Sequence, residues 1–385
     1  MIAGFVVIGA CILTARFFTR FSDVTFDPDK RMGYIDGLRG FLALGVFLHH
    51  YMVTYYFHLT GVWQWPSSRF YAMIAQVGVA LFFIITGFLF WHRILVRRGR
   101  VKWGHLYVSR IFRLTPLHWA GVILLLAAVA IAGDFTMMVP MRSLAVQAVR
   151  WFFLIGAPDI NAVSGTRYIC ANVYWTLRYE WFFYLMLVFF AAVIRMSKKV
   201  SWAVWALAAV VFTAAKLNLN ISFLGIKTVF FIFFLAGALC AAAFEQKTIR
   251  LWAQHGFAAI LSLVALLSTF IFFKSAYSIK PAILMMIFFF PIAAGNRFFT
   301  FLKKPALLLL GEISYSMYLL HGFLLYIVFT FLFPGFMRHP VSLYALSAGM
   351  AGTGVLLVGV AYLSFVMIER PGIDLGKKLS RRLIK

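Results

Sequence analysis

Asp36, Arg39, His49 and His50 fall within the stretch GYIDGLRGFLALGVFLHHY (33–51), which is otherwise apolar enough to cross a membrane. Ionisable side chains are costly in hydrocarbon and persist where they pair, line a cavity or do chemistry. On a helix each residue turns the chain by about 100° and rises about 1.5 Å. Arg39 and His50 are eleven positions apart, so they share a face to within about 20° and lie about 16 Å apart along the axis. Asp36 falls on the same stripe, whereas His49 points about 80° away from Arg39. A guanidinium is a permanent, bidentate donor suited to phosphate. An imidazole is the side chain best poised to move a proton near neutral pH. One stripe therefore carries an anion-binding group at one end and a general-base candidate at the other.

Two further apolar stretches carry partners for His50. Rise along a helix that begins near Asp36 puts His50 about 21 Å in. A span entering near Val173 from the opposite side puts Glu180 about 10 Å below that surface, and one rising from Ala306 puts His321 about 22 Å up. The three are expected at one depth, lining one cavity. Asp36, Arg39 and Glu369 cluster instead toward the basic loop that holds Arg110 and Arg113. The two levels suit two tasks: phosphate binding below, and proton transfer from a hydroxyl above. Plainer readings stand beside these. Glu180 and His321 would serve equally as interhelical hydrogen-bond partners, Arg110 and Arg113 as topology signals, and Trp63, Trp65 and Trp119 as interface anchors.

Composition defines the scaffold that carries these groups. The chain has 385 residues, 63% of them hydrophobic and only 12% charged, with a mean hydropathy of +0.92. Those values exclude an ordinary soluble domain. The net charge of +25 sits between apolar runs of span length, which makes it a topology signal and excludes a nucleic-acid footprint. Runs able to cross about 30 Å of hydrocarbon lie near 36–58, 70–91, 116–132, 173–194, 201–216, 222–243, 256–273, 281–295, 306–333 and 341–368. The expected fold is an all-α integral membrane bundle of ten core helices, with residues 1–15 as an optional eleventh, short N-terminal helix. The segment 143–156 reads as interfacial, and the long loop 133–172 as folding over the outer face.

Lys and Arg set the orientation. Arg93, Arg97, Arg98, Arg100, Lys102, Arg110 and Arg113 come after the second run, and further clusters are Arg195/Lys198/Lys199, Lys247/Arg250, Arg297/Lys303/Lys304 and Lys377/Lys378/Arg381/Arg382/Lys385. Alternate loops carry little more than Arg69, Lys216, Lys274 with Lys280, and Arg338. Both ends of the core are therefore expected in the cytoplasm. The chain divides into an N-terminal apolar segment and linker (1–32), a transmembrane domain (33–371) and a basic cytoplasmic tail (372–385). Cys11, Cys170 and Cys240 lack metal or redox spacing and read as packing residues.

Six stretches resemble, in order, the motifs of the acyltransferase 3 group of bacterial membrane acyltransferases, which includes O-antigen O-acetylases. YIDGLRGFLALGVFLHHY resembles the first-span motif, in which a histidine stands eleven positions after the arginine. GVALFFIITGFL (78–89) resembles the second, with Thr86 where Ser is usual. RIFRLTPLHW (110–119) resembles an Arg-x-x-Arg motif. YWTLRYEWFFY (174–184) resembles a Trp-Ser-Leu-x-x-Glu-Glu-x-Phe-Tyr motif, with Trp175 at its start and Trp181 replacing the second acid. GEISYSMYLLHGFLLY (311–326), with Tyr315 and His321, and ERP (369–371), with Glu369, resemble the last two. Arg178 stands where a small residue is common and Phe323 where a proline often comes after the histidine.

The resemblance implies transfer of an acyl group, most often acetyl, from cytoplasmic acyl-coenzyme A to a hydroxyl of a cell-surface or lipid-linked glycan. His50, Glu180 and His321 would be catalytic; Asp36, Arg39, Arg110 and Arg113 would hold the coenzyme; Thr86, Trp175, Tyr315 and Glu369 would support the site. No metal and no nucleic acid are expected. Membrane lipids surround the protein, a second copy or an extracytoplasmic partner is left open, and the expected location is the inner membrane of a bacterium. The competing reading from another class is a proton-coupled multi-span transporter, for which inverted repeats and matched broken helices are the expected signature.

Overall fold

Long apolar runs with helix-favouring Leu, Ala and Met must satisfy every backbone polar group internally once they enter lipid, and the helix is the form in which a single segment can do so. A computed structural model of the protein describes residues 2–21, 32–196, 213, 226–332 and 341–382. Among the described residues there is no strand, and Ile160 and Val163 form an isolated bridge. The helices are α1 (Ile2–Phe18), α2 (Gly33–Thr60), α3 (Arg69–Val96), α4 (Trp103–Ala132), α5 (Met141–Phe152), α6 (Thr166–Ile169) and α7 (Trp175–Met196). They continue with α8 (Phe231–Glu245), α9 (Lys247–Ala253), α10 (Gly256–Phe272), α11 (Ile279–Ala293), α12 (Pro305–Glu312), α13 (Ser314–Ile327), α14 (Leu343–Ser364) and α15 (Arg370–Arg382).

Five continuous helical runs among the described residues are long and apolar enough to cross a membrane: 69–96, 103–132, 228–245, 314–332 and 343–382. Two bent pairs, α9 with α10 at 73° and α11 with the 3-10 turn Arg297–Lys303 at 78°, bring the number to seven. The stretch 201–216 lies outside the described residues apart from Thr213, as do Lys198, Lys199, Lys216, Arg338 and Lys385. Of residues 1–15, the described ones fold as part of α1, whose Val7, Cys11 and Ala15 are buried at helical spacing as it packs on α14.

The polar stripe of α2 sits at the centre of the bundle. α2 is buried along nearly its whole length and packs on α3, α12, α13 and the turn 297–303. Its contacts with α12 and the turn 297–303 are backbone to backbone: a Cβ on Gly311 of α12 would collide with the Asp36 carbonyl, and one on Gly37 with the Leu302 carbonyl of the turn. Small residues at such crossings let membrane helices approach closely, and here they fix the height of α12 and α13 against α2.

Three local departures from the sequence reading matter for the site. Arg93 ends α3, and Arg110 and Arg113 lie within α4; they stand on helices instead of a loop because arginine is a good helix former with a long apolar stem. The run 306–333 is broken at Ile313, between α12 and α13, and ends in a π-turn, Val328–Leu332. The connection from α4 to α7 does more than cover the outer face. α5 is amphipathic and buries only Trp151, as an interfacial helix does, but Ile160 and the segment Ile169–Tyr174 sink into the bundle.

Candidate active site

A cavity of about 580 Å³ opens between α2, α3, α4, α7, α12 and α13. Each helix contributes one stripe. α2 gives Ile35, Asp36 and Arg39; α3 gives Thr86, Leu89, Phe90, Arg93 and Arg97; α4 gives Arg110, Arg113 and Leu114. α7 adds Thr176, Glu180 and Tyr184, and α12 and α13 add Glu312, Tyr315 and Tyr318. Five guanidiniums thus face three carboxylates (Asp36, Glu180 and Glu312), leaving the cavity positive. The Arg39 guanidinium stands 3.9 Å from the Asp36 carboxylate, and Arg110 lies over the Phe90 ring at 5.3 Å. Tyr184 donates its hydroxyl to Glu180, and Tyr315 donates to the Leu114 carbonyl at 2.8 Å. Behind this wall Glu369 is fully buried and accepts from Ser316. It sits in a π-turn, Phe365–Glu369, a distortion often found at functional sites.

The far end of the cavity is closed by Val79, Phe82, Tyr318 and Thr176. The Thr176 and Tyr318 hydroxyls are 3.0 Å apart, and the Phe82 and Tyr318 rings pack edge to face at 6.1 Å. Immediately past this ceiling, the His321 ring lies 6.1 Å from Tyr318. His321 Nε2 is 3.1 Å from His50 Nδ1. His50 Nδ1 also meets the Val46 carbonyl at 3.0 Å, and His321 Nδ1 meets the Met317 carbonyl at 3.2 Å. His49 is tied elsewhere, its Nδ1 2.8 Å from the Tyr71 carbonyl. Two helix faces therefore run from the basic cavity to the imidazole pair: Asp36, Arg39 and His50 on α2, and Tyr315, Tyr318 and His321 on α13.

The profile of one family, described as an acyltransferase domain and termed acyltransferase 3, matches residues 32–368. The chain belongs to the acyltransferase 3 family. No curated protein and no solved structure matches it. As a member of that family the protein is a membrane acyltransferase.

Within this acyltransferase, the structure brings Asp36, Arg39, Thr86, Arg110, Arg113, Glu180 and Tyr315 to the wall of one cavity, and His50 and His321 into contact beside it. One expectation is corrected: Glu180 does not share a cavity with His50 and His321, which are not part of the lining that holds Glu180. The cause is the buried segment before α7. Gly322 lies against the backbone of Cys170 and Ala171, and the Tyr318 hydroxyl reaches the Val173 carbonyl at 3.4 Å. α7 therefore starts level with the middle of α13, not at the membrane surface. Glu180, five residues on from Trp175, falls on the order of 7 Å lower still, beside Tyr184 and the arginines. Trp175 is also outside the cavity. It packs in an aromatic group with Phe230 at 4.8 Å and Tyr179 at 5.5 Å. Among the described residues no cluster of three or more His, Cys, Asp or Glu is arranged to hold a metal.

Sequence reasoning left Arg93, Arg97, Glu312, Thr176, Tyr184 and Tyr318 without a role in the site. The signal for three of them was present. Thr86, Leu89, Phe90, Arg93 and Arg97 recur at three, four, seven and eleven positions, one face of a helix, so Arg93 and Arg97 continue the stripe that Thr86 begins. Tyr318 is one turn before His321 on the same face of α13.

Proposed function

We propose that the protein transfers an acyl group, of which acetyl is the simplest, from cytoplasmic acyl-coenzyme A to a hydroxyl of a glycan or lipid-linked glycan across the membrane. The observation that carries this reading is the pair of faces on α2 and α13 that join five arginines at one level to a hydrogen-bonded imidazole pair at the other. The basic end faces the cytoplasm of a bacterial inner membrane, in keeping with the distribution of Lys and Arg.

In this reading Arg39, Arg110 and Arg113, helped by Arg93 and Arg97, hold the coenzyme's phosphates through charge-assisted bonds. Asp36, Glu180 and Glu312 keep those guanidiniums apart and aimed when no donor is bound. The acyl arm extends along Thr86 and Tyr315 to the ceiling of Phe82 and Tyr318, whose rings part to admit it toward His50. His50 takes the proton from the acceptor hydroxyl as its oxygen attacks the thioester carbon. The carbon–sulfur bond breaks, the ester forms, and the proton passes to the departing thiolate, so that no group is left with net charge.

The test is transfer of label from acyl-coenzyme A carrying a labelled acetyl group into membrane glycans, in membranes containing the wild type or His50→Ala. Label in glycan with the wild type alone is the expected result. Equal labelling by both, with equal protein in the membrane, overturns the assignment of His50. Transport of a solute without consumption of acyl-coenzyme A would instead favour a carrier.

A further inference from the structure

The two imidazoles make three polar contacts whose chemistry permits one neutral arrangement of protons. A backbone carbonyl can only accept a hydrogen bond, and a neutral imidazole has one N–H and one lone pair. His321 Nδ1 stands 3.2 Å from the Met317 carbonyl, so that nitrogen carries the proton and His321 Nε2 is the bare acceptor. His321 Nε2 faces His50 Nδ1 at 3.1 Å, and His50 Nδ1 also faces the Val46 carbonyl at 3.0 Å. His50 Nδ1 is therefore the donor to both, and His50 Nε2 is left as the basic lone pair. The reverse arrangement, with His321 Nε2–H donating, would set lone pairs against both carbonyls in a site where His321 is fully buried. His49 does not interfere: its ring packs edge to face on His50 at 4.8 Å, with its own Nδ1 held by the Tyr71 carbonyl.

We propose that His321 is a positioning residue that holds His50 in the Nδ1–H tautomer and thereby makes His50 Nε2 the atom that removes the acceptor's proton. The proposal rests on the reading of His50 as the base. When Nε2 takes the proton, the Nδ1–H bond to His321 Nε2 becomes charge-assisted and steadies the imidazolium until the proton leaves for the coenzyme thiolate. The arrangement does the work of the carboxylate in a Ser-His-Asp triad. It does so with a neutral partner, and so adds no second charge to a site within the membrane. Tyr71, Val46 and Met317 contribute through backbone carbonyls alone, so the whole device depends on the two histidine side chains.

Two variants separate the tautomer role from simple packing. His321→Leu removes the acceptor, whereas His321→Gln places an amide oxygen close to where Nε2 stood. With purified protein in lipid vesicles, His321→Leu should lower kcat by about 100-fold or more with the KM for acyl-coenzyme A unchanged, and His321→Gln should restore at least about ten-fold of that loss. Nitrogen-15 NMR of histidine-labelled wild-type protein should show His50, identified by the signal missing from His50→Ala, with its proton on Nδ1. Equal impairment of the Leu and Gln variants, full activity of His321→Leu, or a wild-type His50 protonated on Nε2 alone would each overturn the proposal. The NMR result does so even if His321→Leu fails to fold. Full activity of His50→Ala would overturn instead the base assignment on which it rests.

Discussion

At the Arg39 end of α2, charge is abundant and comes from five helices: five arginines and three carboxylates share one cavity. At the His50 end, two imidazoles are joined to each other and to backbone carbonyls, and no carboxylate is among their hydrogen-bond partners within the described residues. The first arrangement is redundant. Any one guanidinium can be lost and the cavity stays positive, which suits a polyanion held by many contacts. The second has no spare part, because three of the pair's four nitrogens are committed to a neighbour and His50 Nε2 alone is left over. In the proposed function, binding and chemistry are thus built differently on one helix about 16 Å apart, and variants at the two ends should fail in different ways.

The largest expected effect is at the imidazole end. His50→Ala should cut the transfer rate by about 10²–10⁴-fold, the range of a lost general base, while membrane levels of the protein stay unchanged on immunoblots. Arginine variants should fail by affinity instead. Alanine at Arg39, Arg110 or Arg113 removes a charge-assisted contact of about 1.5–3 kcal/mol, which at about 1.4 kcal/mol per decade is about ten-fold to a hundred-fold in acyl-coenzyme A affinity. A titration that found all three unchanged would return them to a topology role.

Glu180 sharpens the comparison because sequence and structure assign it to different ends. Glu180→Gln should alter donor affinity by about ten-fold or less and leave the rate at saturating donor near that of the wild type. A collapse of kcat with normal affinity would move Glu180 back to the chemistry. The smallest effect belongs to the surface. Asp374 on α15 accepts from Lys377 at 2.9 Å, and that bond holds its carboxyl below the ordinary carboxylate range. A depressed folded-state value means the contribution is present above the unfolded pKa and is lost as pH falls through the folded one. Lys377→Ala should leave activity unchanged and cost about 0.3 kcal/mol, a shift that thermal unfolding at neutral pH would place within error of the wild type.

The features legible in the sequence are those confined to a single helix. The eleven-residue spacing of Arg39 and His50 placed both on one face, and depths of about 21 and 22 Å for His50 and His321 agree with a contact of 3.1 Å, because α2 and α12–α13 start from the same side and Gly37 and Gly311 lock their heights. Glu180 was misplaced because its depth depends on something no local pattern reveals, the burial of residues 169–174 against Gly322. Trp175 was drawn toward the site by motif position, while its ring finds Phe230 and Tyr179 through tertiary packing. Arg93 and Arg97 were hidden by their place at a basic helix end, where a topology signal and a cavity stripe look alike. The ceiling of Phe82, Thr176 and Tyr318 needs three helices together, and only Tyr318, one turn before His321, had a signature on its own helix.

The central claim, that one helix carries donor binding at one end and chemistry at the other, is tested most directly by an acyl-coenzyme A binding isotherm on purified His50→Ala beside Arg113→Ala. The expected result is wild-type affinity for His50→Ala, despite its lowered transfer rate, and an affinity lowered about ten-fold to a hundred-fold for Arg113→Ala. Loss of donor affinity in His50→Ala, with normal affinity in Arg113→Ala, would contradict it.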